Sequence, residues 1–350
     1  MTLDPDLEAL AERVQHNCHI SDARFARNYT LCIYLLKMRE LYRWEKGLGQ
    51  SASLPHDQVG QWLTEREALW ETLEEEDFAP LPLAGHEFDP FEDAGELNRR
   101  LQPAGLVYNS GLGSHGKPLF FLGELADTER RNGAHVLVSG RELARDITAP
   151  PAMSRAGTIL VRRESLRRML WERVEEWDWH QRENAMARAM AHYPFGEDTD
   201  LALDRMTANE TEAVILHELG ELAAGDLLGP EWEEMVLQVA QTRAEHILRA
   251  VRDHLADGLS TLPALLERGP EPSLHFYFAN LTGLRQALFP ALGEAYRRWT
   301  EGGRFGELER TVAEGQDYWS ELAEQLLELG QGTPDDLARR VEAHTAGLLP

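Results

Sequence analysis

The chain reads Ala213-Val-Ile-Leu-His217-Glu218-Leu-Gly220-Glu221 and, further on, Thr242-Arg-Ala-Glu245-His246. Both runs have the residue pattern of helices, and each carries a histidine beside carboxylates. The second run continues with Arg249, Asp253, His254 and Asp257. No other part of the sequence gathers as many metal-binding side-chain types at helical spacing. Both a helical fold and a candidate site are therefore predicted from this region.

His217 and Glu221 are four residues apart, a spacing that places two side chains on one face of a helix. Zinc hydrolases use two metal ligands at this spacing, with a glutamate between them as general base. Here the second ligand position holds Glu instead of His. The pattern predicts His217 and Glu221 as metal ligands and Glu218 as the catalytic base. The alternative is an ordinary helix whose charged residues face the solvent.

Gly220 and other small residues surround His217 on its helical face, which lets a second helix approach closely. The following helical segment offers Glu245, His246 and Asp253 as further ligands. Helical metal sites are commonly completed by side chains of a neighbouring helix. The sequence does not select among the three residues, and the predicted metal shell includes Glu245 and His246.

Composition narrows the classes of partner. The chain has 350 residues, 43% of them hydrophobic, which is enough for a substantial core. Its formal net charge of -25 repels nucleic acid phosphates and anionic membrane surfaces. Neither nucleic acid nor membrane is therefore expected as a partner. The candidate site makes a small molecule a possible substrate.

The lack of a recognisable signal peptide and the use of cysteine predict a cytoplasmic protein. The first six residues, Met-Thr-Leu-Asp-Pro-Asp, lack the basic and apolar regions of a signal peptide, and no apolar run approaches membrane-spanning length. The two cysteines, Cys18 and Cys32, do not suggest a disulfide framework.

Residues 105–163 are predicted to form the β-structure of the chain. Four short apolar runs are bounded by Gly, Pro and Asn: Leu106-Val-Tyr-Asn, Pro118-Leu-Phe-Phe-Leu, Ala134-His-Val-Leu-Val-Ser and Thr158-Ile-Leu-Val-Arg. Asn132-Gly133 predicts a hairpin turn. Ser139–Pro151 is predicted as a short helix ended by prolines. The glycine-rich residues 111–118 predict a flexible hairpin loop with His115 and Lys117 at its tip, where they can touch a ligand.

From Arg163 onward the periodicity is helical, and no β-strand is expected. Gly229-Pro230 ends the helix that carries His217, and Trp232–Leu262 is predicted as its partner helix. The predicted fold class is α+β, mainly α. Residues 1–163 form a helical N-terminal region with a small antiparallel sheet, and residues 164–350 form an all-helical bundle.

Several stretches together resemble an uncharacterised family of bacterial proteins of about this length, described as a domain of unknown function with N- and C-terminal parts. They are His19-Ile-Ser-Asp-Ala-Arg24, Tyr34-Leu-Leu-Lys-Met-Arg39-Glu40, Gly116-Lys-Pro-Leu-Phe-Phe-Leu122, Val138-Ser-Gly-Arg-Glu-Leu-Ala-Arg145-Asp146 and His217-Glu-Leu-Gly220-Glu221. The resemblance implies a two-part cytoplasmic bacterial protein and no particular activity. The four residues from His217 to Gly220 also resemble zinc metallopeptidases, without their second histidine.

The functional expectation is a metal-dependent enzyme with a His/carboxylate site between helices of the C-terminal bundle. It is either a hydrolase, with Glu218 as general base, or a di-iron-type oxygenase, with Glu218 as a further ligand. The expected divalent metal is iron, manganese or zinc. The alternative is a non-catalytic binding or scaffold protein in which the same residues form interhelical ion pairs.

Overall fold

The computed structural model describes residues 4–50, 52–113, 116–155, 157–179, 182–269, 271–330 and 332–348. The chain divides into two compact units. The N-terminal unit contains Met1–Arg173 and Thr199–Thr207, and the C-terminal unit contains Val174–Asp198 and Ala208–Pro350. Helices account for 66% of the structure, which confirms the prediction of a mainly helical protein with β-structure.

The N-terminal unit has four α-helices before its larger sheet. Asp4 caps the first of them by accepting a hydrogen bond from the backbone N–H of Asp6 at 3.0 Å. Leu10 and Cys18 of this helix are fully buried in an apolar cluster that includes residues of the sheet. The helices are α1 (Pro5–Phe25), α2 (Leu31–Glu45), α3 (His56–Leu73) and α4 (Ala94–Leu101).

The unit has two sheets, and the larger one has more strands than the small antiparallel sheet predicted from the sequence. The strands are β1 (Leu81–Leu83), β2 (His86–Phe88), β3 (Leu106–Leu112), β4 (Pro118–Arg131), β5 (Ala134–Arg145), β6 (Ala152–Arg155) and β7 (Thr158–Arg162). Strands β1 and β2 form one sheet, and the other five form a curled half-barrel in the order β3-β4-β5-β7-β6. The β5–β7 pair is parallel, so the larger sheet is mixed. Register shifts between Leu122 and Asp127 mark irregular pairing of the kind that bends strands.

The turn between β4 and β5 was predicted correctly, and the helix over Ser139–Pro151 was not. Asn132 and Gly133 have φ values of 50° and 83°, as a two-residue hairpin turn requires. Strand β5 instead continues to Arg145, through the first half of the predicted helix. The charged side chains of Glu142 and Arg145 are buried, and Glu142 receives two hydrogen bonds from Arg162, at 3.0 and 2.8 Å. Tertiary pairing therefore overrides the local preference.

Lys117 lies in the interior, and not at a solvent-exposed loop tip as predicted. Its side chain is only 6% exposed, and its Nζ lies 2.6 Å from Asp22 Oδ1 and 3.5 Å from Asp146 Oδ1. It also donates a hydrogen bond to Thr148 Oγ1 at 2.9 Å. This ammonium group joins helix α1 to the segment that follows β5. His115, its predicted neighbour in the loop, lies outside the described residues.

Among the residues described after Arg163, none lies in a β-strand, as predicted. Helices α5 (Arg163–Asp178) and α7 (Thr199–Leu228) contribute residues to both units. The other helices of the C-terminal unit are α6 (Ala185–Met190), α8 (Pro230–Gln238), α9 (Arg243–Ala256), α10 (Leu262–Arg268), α11 (Pro272–Asn280), α12 (Gly283–Leu288), α13 (Pro290–Thr300), α14 (Phe305–Glu328) and α15 (Pro334–Thr345). A π-helical turn, Asp257–Thr261, joins α9 to α10.

The single partner helix predicted over Trp232–Leu262 is wrong, because two helices occupy this range. Helix α8 ends at Gln238, and the chain turns through Gln241, which has a positive φ of 66°. The side chain of Thr242 then caps α9 by accepting a hydrogen bond from Glu245 N–H at 3.4 Å. The helix is therefore interrupted between Gln238 and Arg243, and α9 begins as a separate helix.

Helix α9 runs through the core of the C-terminal unit. Its residues Ile247, Val251 and Leu255 are fully buried in one cluster with Trp319 of α14 and Val341 of α15. A buried apolar stripe of this kind stabilises a helix far more than its intrinsic propensity does. No helix in the described part of the chain has the length and apolar character needed to cross a membrane.

Candidate functional site

Helices α7 and α9 approach each other closely at Gly220. A Cβ atom at this position would lie 2.3 Å from the carbonyl oxygen of Ala256, so only glycine allows this packing. Ala256 is the last residue of α9, and the π-helical turn begins at the next residue, Asp257. The contact therefore sets His217, one turn before Gly220, beside the end of α9.

His217 and Asp257 form the centre of the candidate site. The distance from His217 Nδ1 to Asp257 Oδ1 is 2.9 Å. The Asp257 side chain is 1% exposed, whereas that of His217 is 34% exposed. A buried carboxylate that binds Nδ1 orients the ring and leaves Nε2 for chemistry or for a ligand. Asp257 opens a π-helical turn, an irregularity that is frequent at functional sites.

Two further side chains hold the second carboxylate oxygen of Asp257. The Tyr277 hydroxyl donates a hydrogen bond to Oδ2 at 2.9 Å, and Arg285 Nη2 also donates to Oδ2. The backbone carbonyl of Arg285 in turn accepts a hydrogen bond from His254 Nε2 at 2.9 Å, which anchors helix α12 to α9. Asp257 is thus fully bonded although it is buried, as a charged group in a protein interior requires.

These contacts favour a protonated His217 and an ionised Asp257. Burial opposes the imidazolium, but the hydrogen bond and charge of Asp257, followed by the charges of Glu221 and Glu218, raise the pKa of His217 to about 9. Burial also disfavours the charged form of Asp257, yet His217 and Arg285 hold the pKa of Asp257 well below its ordinary value. At neutral pH the pair is an imidazolium–carboxylate ion pair.

Two more carboxylates lie near His217, one on each helix. Burial raises the pKa of Glu221 to about 7, against the opposing charges of Arg252 and His217. Burial also raises the pKa of Asp253, against the charges of Arg285 and His217. Glu221 Oε2 forms an ion pair with Arg252 Nε at 3.0 Å, and Arg252 Nη1 donates to Glu233 Oε1 at 2.5 Å.

The structure brings together only part of the residue set that the sequence predicted. His217 and Glu221 share the site, and Glu218 lies near enough for its charge to raise the pKa of His217. Glu245 instead binds Arg249 at 2.8 Å and the backbone N–H of Gln241 at 2.7 Å, in the first turn of α9. His246 is exposed beside it. The rise of 1.5 Å per helical residue separates this turn from Asp253 by about 12 Å along the helix axis.

Sequence reasoning missed the role of three residues. Asp257 had a weak signal, since it continues the line of His246 and Asp253 on α9. Tyr277 and Arg285 had none, because they lie on α11 and α12 and meet Asp257 only through tertiary packing. Over the described ranges, no three His, Cys, Asp or Glu side chains form an arrangement ready to hold a metal ion.

The chain belongs to a family of unknown function (DUF6866). The N-terminal domain of this family matches residues 9–162, and its C-terminal domain matches residues 167–347. Comparisons with curated proteins and with solved structures gave no match. The candidate site lies wholly within the residues matched by the C-terminal domain.

Proposed function

We propose that the C-terminal unit is an acid–base enzyme that acts on a small molecule, with His217 and Asp257 as its reactive pair. The observation that carries this proposal is the contact of His217 Nδ1 with the buried Asp257, whose other oxygen binds Tyr277 and Arg285. The pair resembles the His–Asp arrangement that orients an imidazole for proton transfer at Nε2.

The protonation states assign the roles. His217, with its pKa raised to about 9, is the general acid and gives its Nε2 proton to a leaving group as the bond to that group breaks. Glu221, with its pKa raised to about 7, accepts the proton of the attacking nucleophile. Two titratable groups whose environments separate their pKa values are a common basis for acid and base assignments. The proposed reaction class is hydrolysis or group transfer.

A divalent metal at the same site, iron, manganese or zinc, is the second candidate. The observation that favours it is the presence of two partly buried carboxylates, Glu221 and Asp253, whose charges interact with that of His217. Asp257 would then support His217 as a carboxylate behind the ligand. Metal binding has to displace the His217 proton and the Arg252 ion pair. Because both changes cost free energy, we place the metal-dependent enzyme second to the acid–base enzyme.

The test compares wild type with His217→Gln, using p-nitrophenyl phosphate and p-nitrophenyl acetate with and without a chelator. We expect turnover that survives chelation and falls roughly 10²- to 10⁴-fold in His217→Gln, because general acid–base catalysis contributes about this much. The matched control is His344→Gln, which alters an exposed histidine bonded to Gln325 on another helix.

The other outcomes select the alternatives. Turnover that is lost on chelation and restored by manganese, with one metal per wild-type chain and none in His217→Gln, supports the metal enzyme. No turnover, combined with a lower melting temperature for His217→Gln, supports the binding or scaffold protein. In that protein the ion pairs of Arg252 with Glu221 and of Arg285 with Asp257 would serve to hold the helices together.

We also propose a cytoplasmic location. The support is that Cys18 and Cys32 are both free, Cys18 buried and Cys32 exposed. An exposed free thiol persists more readily in a reducing compartment.

A further inference from the structure

A cavity of about 430 Å³ lies beside α9, between Arg243 and Asp253, and the start of α12. Its polar lining consists of Arg243, His246, Arg249, Asp253, Thr282 and Arg285. We call it the arginine pocket. Its volume lies within the range of about 300–1,000 Å³ that is usual for sites of small molecules.

The charge of the arginine pocket is opposite to that of the chain. The sequence has 60 acidic residues against 35 lysines and arginines. The pocket lining nevertheless presents three guanidinium groups and one carboxylate. Such a local reversal of sign attracts anions to this point of an otherwise acidic surface.

Two of the three guanidinium groups are accessible to a ligand. Arg243 is exposed and has no hydrogen bond or ion pair with any residue that the structure describes. Arg249 is 60% exposed, and its ion pair is with Glu245 one helical turn away. Exposed pairs of this type are weak, so Arg249 can turn to a ligand at little cost.

Arg285 connects the arginine pocket to the His217–Asp257 pair. Its Nη2 binds Asp257 Oδ2, while its buried Nε has no hydrogen-bond partner in the described structure and lies 3.8 Å from Asp253 Oδ2. Asp257 therefore holds His217 with one oxygen and Arg285 with the other. An anion bound in the pocket would be separated from the proposed reactive pair by one side chain.

We propose that the arginine pocket binds the phosphate group of a small-molecule substrate. Guanidinium forks match the oxygens of phosphate and bind them with paired, charge-assisted hydrogen bonds. The hydroxyl of Thr282 adds a neutral donor to the lining. Arg285 already pairs with Asp257, so a phosphate would bind Arg243 and take the place of Glu245 at Arg249. This inference rests on the proposed function for its link to chemistry, but its test measures binding alone.

Calorimetric titration of the full-length chain with inorganic phosphate tests the proposal. We expect phosphate to bind wild type, and the double variant Arg243→Gln/Arg249→Gln to weaken its Kd at least tenfold. The matched control is Arg339→Gln, which removes an arginine that is 78% exposed on α15. Its Kd should equal that of wild type. Because Arg243 and Arg249 are exposed, the double variant should keep the wild-type melting temperature.

Three results overturn the proposal. The first is the absence of phosphate binding to wild type. The second is equal binding by wild type and the double variant, which identifies an adventitious ion only. The third is binding of malonate that exceeds that of phosphate, which identifies a carboxylate site. The variant His217→Gln tests this inference and the proposed function separately. If the variant loses turnover but still binds phosphate, both proposals are supported. If phosphate binds but His217→Gln does not change turnover, the phosphate-binding proposal stands and the acid–base enzyme proposal is rejected.

Discussion

Replacing Lys117 by methionine should lower the free energy of unfolding by about 3–5 kcal/mol, the usual cost of removing one partner from a buried ion pair. The Lys117 ammonium lies between Asp22 and Asp146, whose side chains are fully buried. Burial already raises the pKa of Asp22 to about 6 although Lys117 opposes this shift. Methionine keeps most of the side-chain volume, so the loss measures the missing charge.

Urea denaturation followed by circular dichroism provides the measurement. The matched control is Lys46→Met, because Lys46 is 49% exposed and its Nζ lies 4.0 Å from Glu45. We expect this control to change the unfolding midpoint little, since exposed ion pairs contribute little to stability. Equal midpoints for the two variants would contradict the assigned role of Lys117 as the link between α1 and the end of β5.

Replacing Gly220 by alanine should lower the free energy of unfolding by about 1–3 kcal/mol or more, the usual range for a side chain forced into a packed interior. The new Cβ would lie 2.3 Å from the Ala256 oxygen and 2.8 Å from the Ala256 carbonyl carbon. Both atoms belong to the backbone, so a side-chain rotation cannot relieve the contact. The helices must separate, and His217 would then move away from Asp257.

Gly225→Ala is the matched control for Gly220→Ala in the same helix. A Cβ at Gly225 would have only Arg252 Nη2 nearby, at 3.7 Å, which is ordinary contact with a flexible side chain. Alanine there should stabilise the helix by about 0.5–1 kcal/mol, because glycine lowers helix stability by that amount. Thermal unfolding of both variants checks the pair of expectations. Shifts of the same sign would show that Gly220 is not a point of close packing.

Hydrophobic periodicity accounts for the part of the fold that was predicted. The helical second half and the turn at Asn132-Gly133 follow from local patterns of residue type. The continuation of β5 to Arg145 was missed, because local residue types do not reveal that Glu142 pairs with both Arg145 and Arg162 in the interior. The size of the mixed sheet was missed for a similar reason, since the β5–β7 pairing joins strands that are separated by β6.

The candidate site shows the same limit. Spacing within one helix placed His217 and Glu221 on a common face, and Gly220 indicated a close helix. Which residues of α9 face His217 depends on the position of α9 along α7, and local sequence does not determine that position. The contact of Gly220 with Ala256 sets this position and selects Asp253 and Asp257 instead of Glu245 and His246.

Asp257 holds His217 in its protonated form, and an NMR titration of the ¹⁵N-labelled histidine rings tests this assignment most directly. The His217 resonances can be assigned by their absence from the spectrum of His217→Gln. We expect the wild-type ring to titrate with a pKa of about 9, and the pKa to fall toward the ordinary value of 6.5 in Asp257→Asn. A wild-type pKa at or below 6.5, or one that Asp257→Asn leaves unchanged, would contradict the claim.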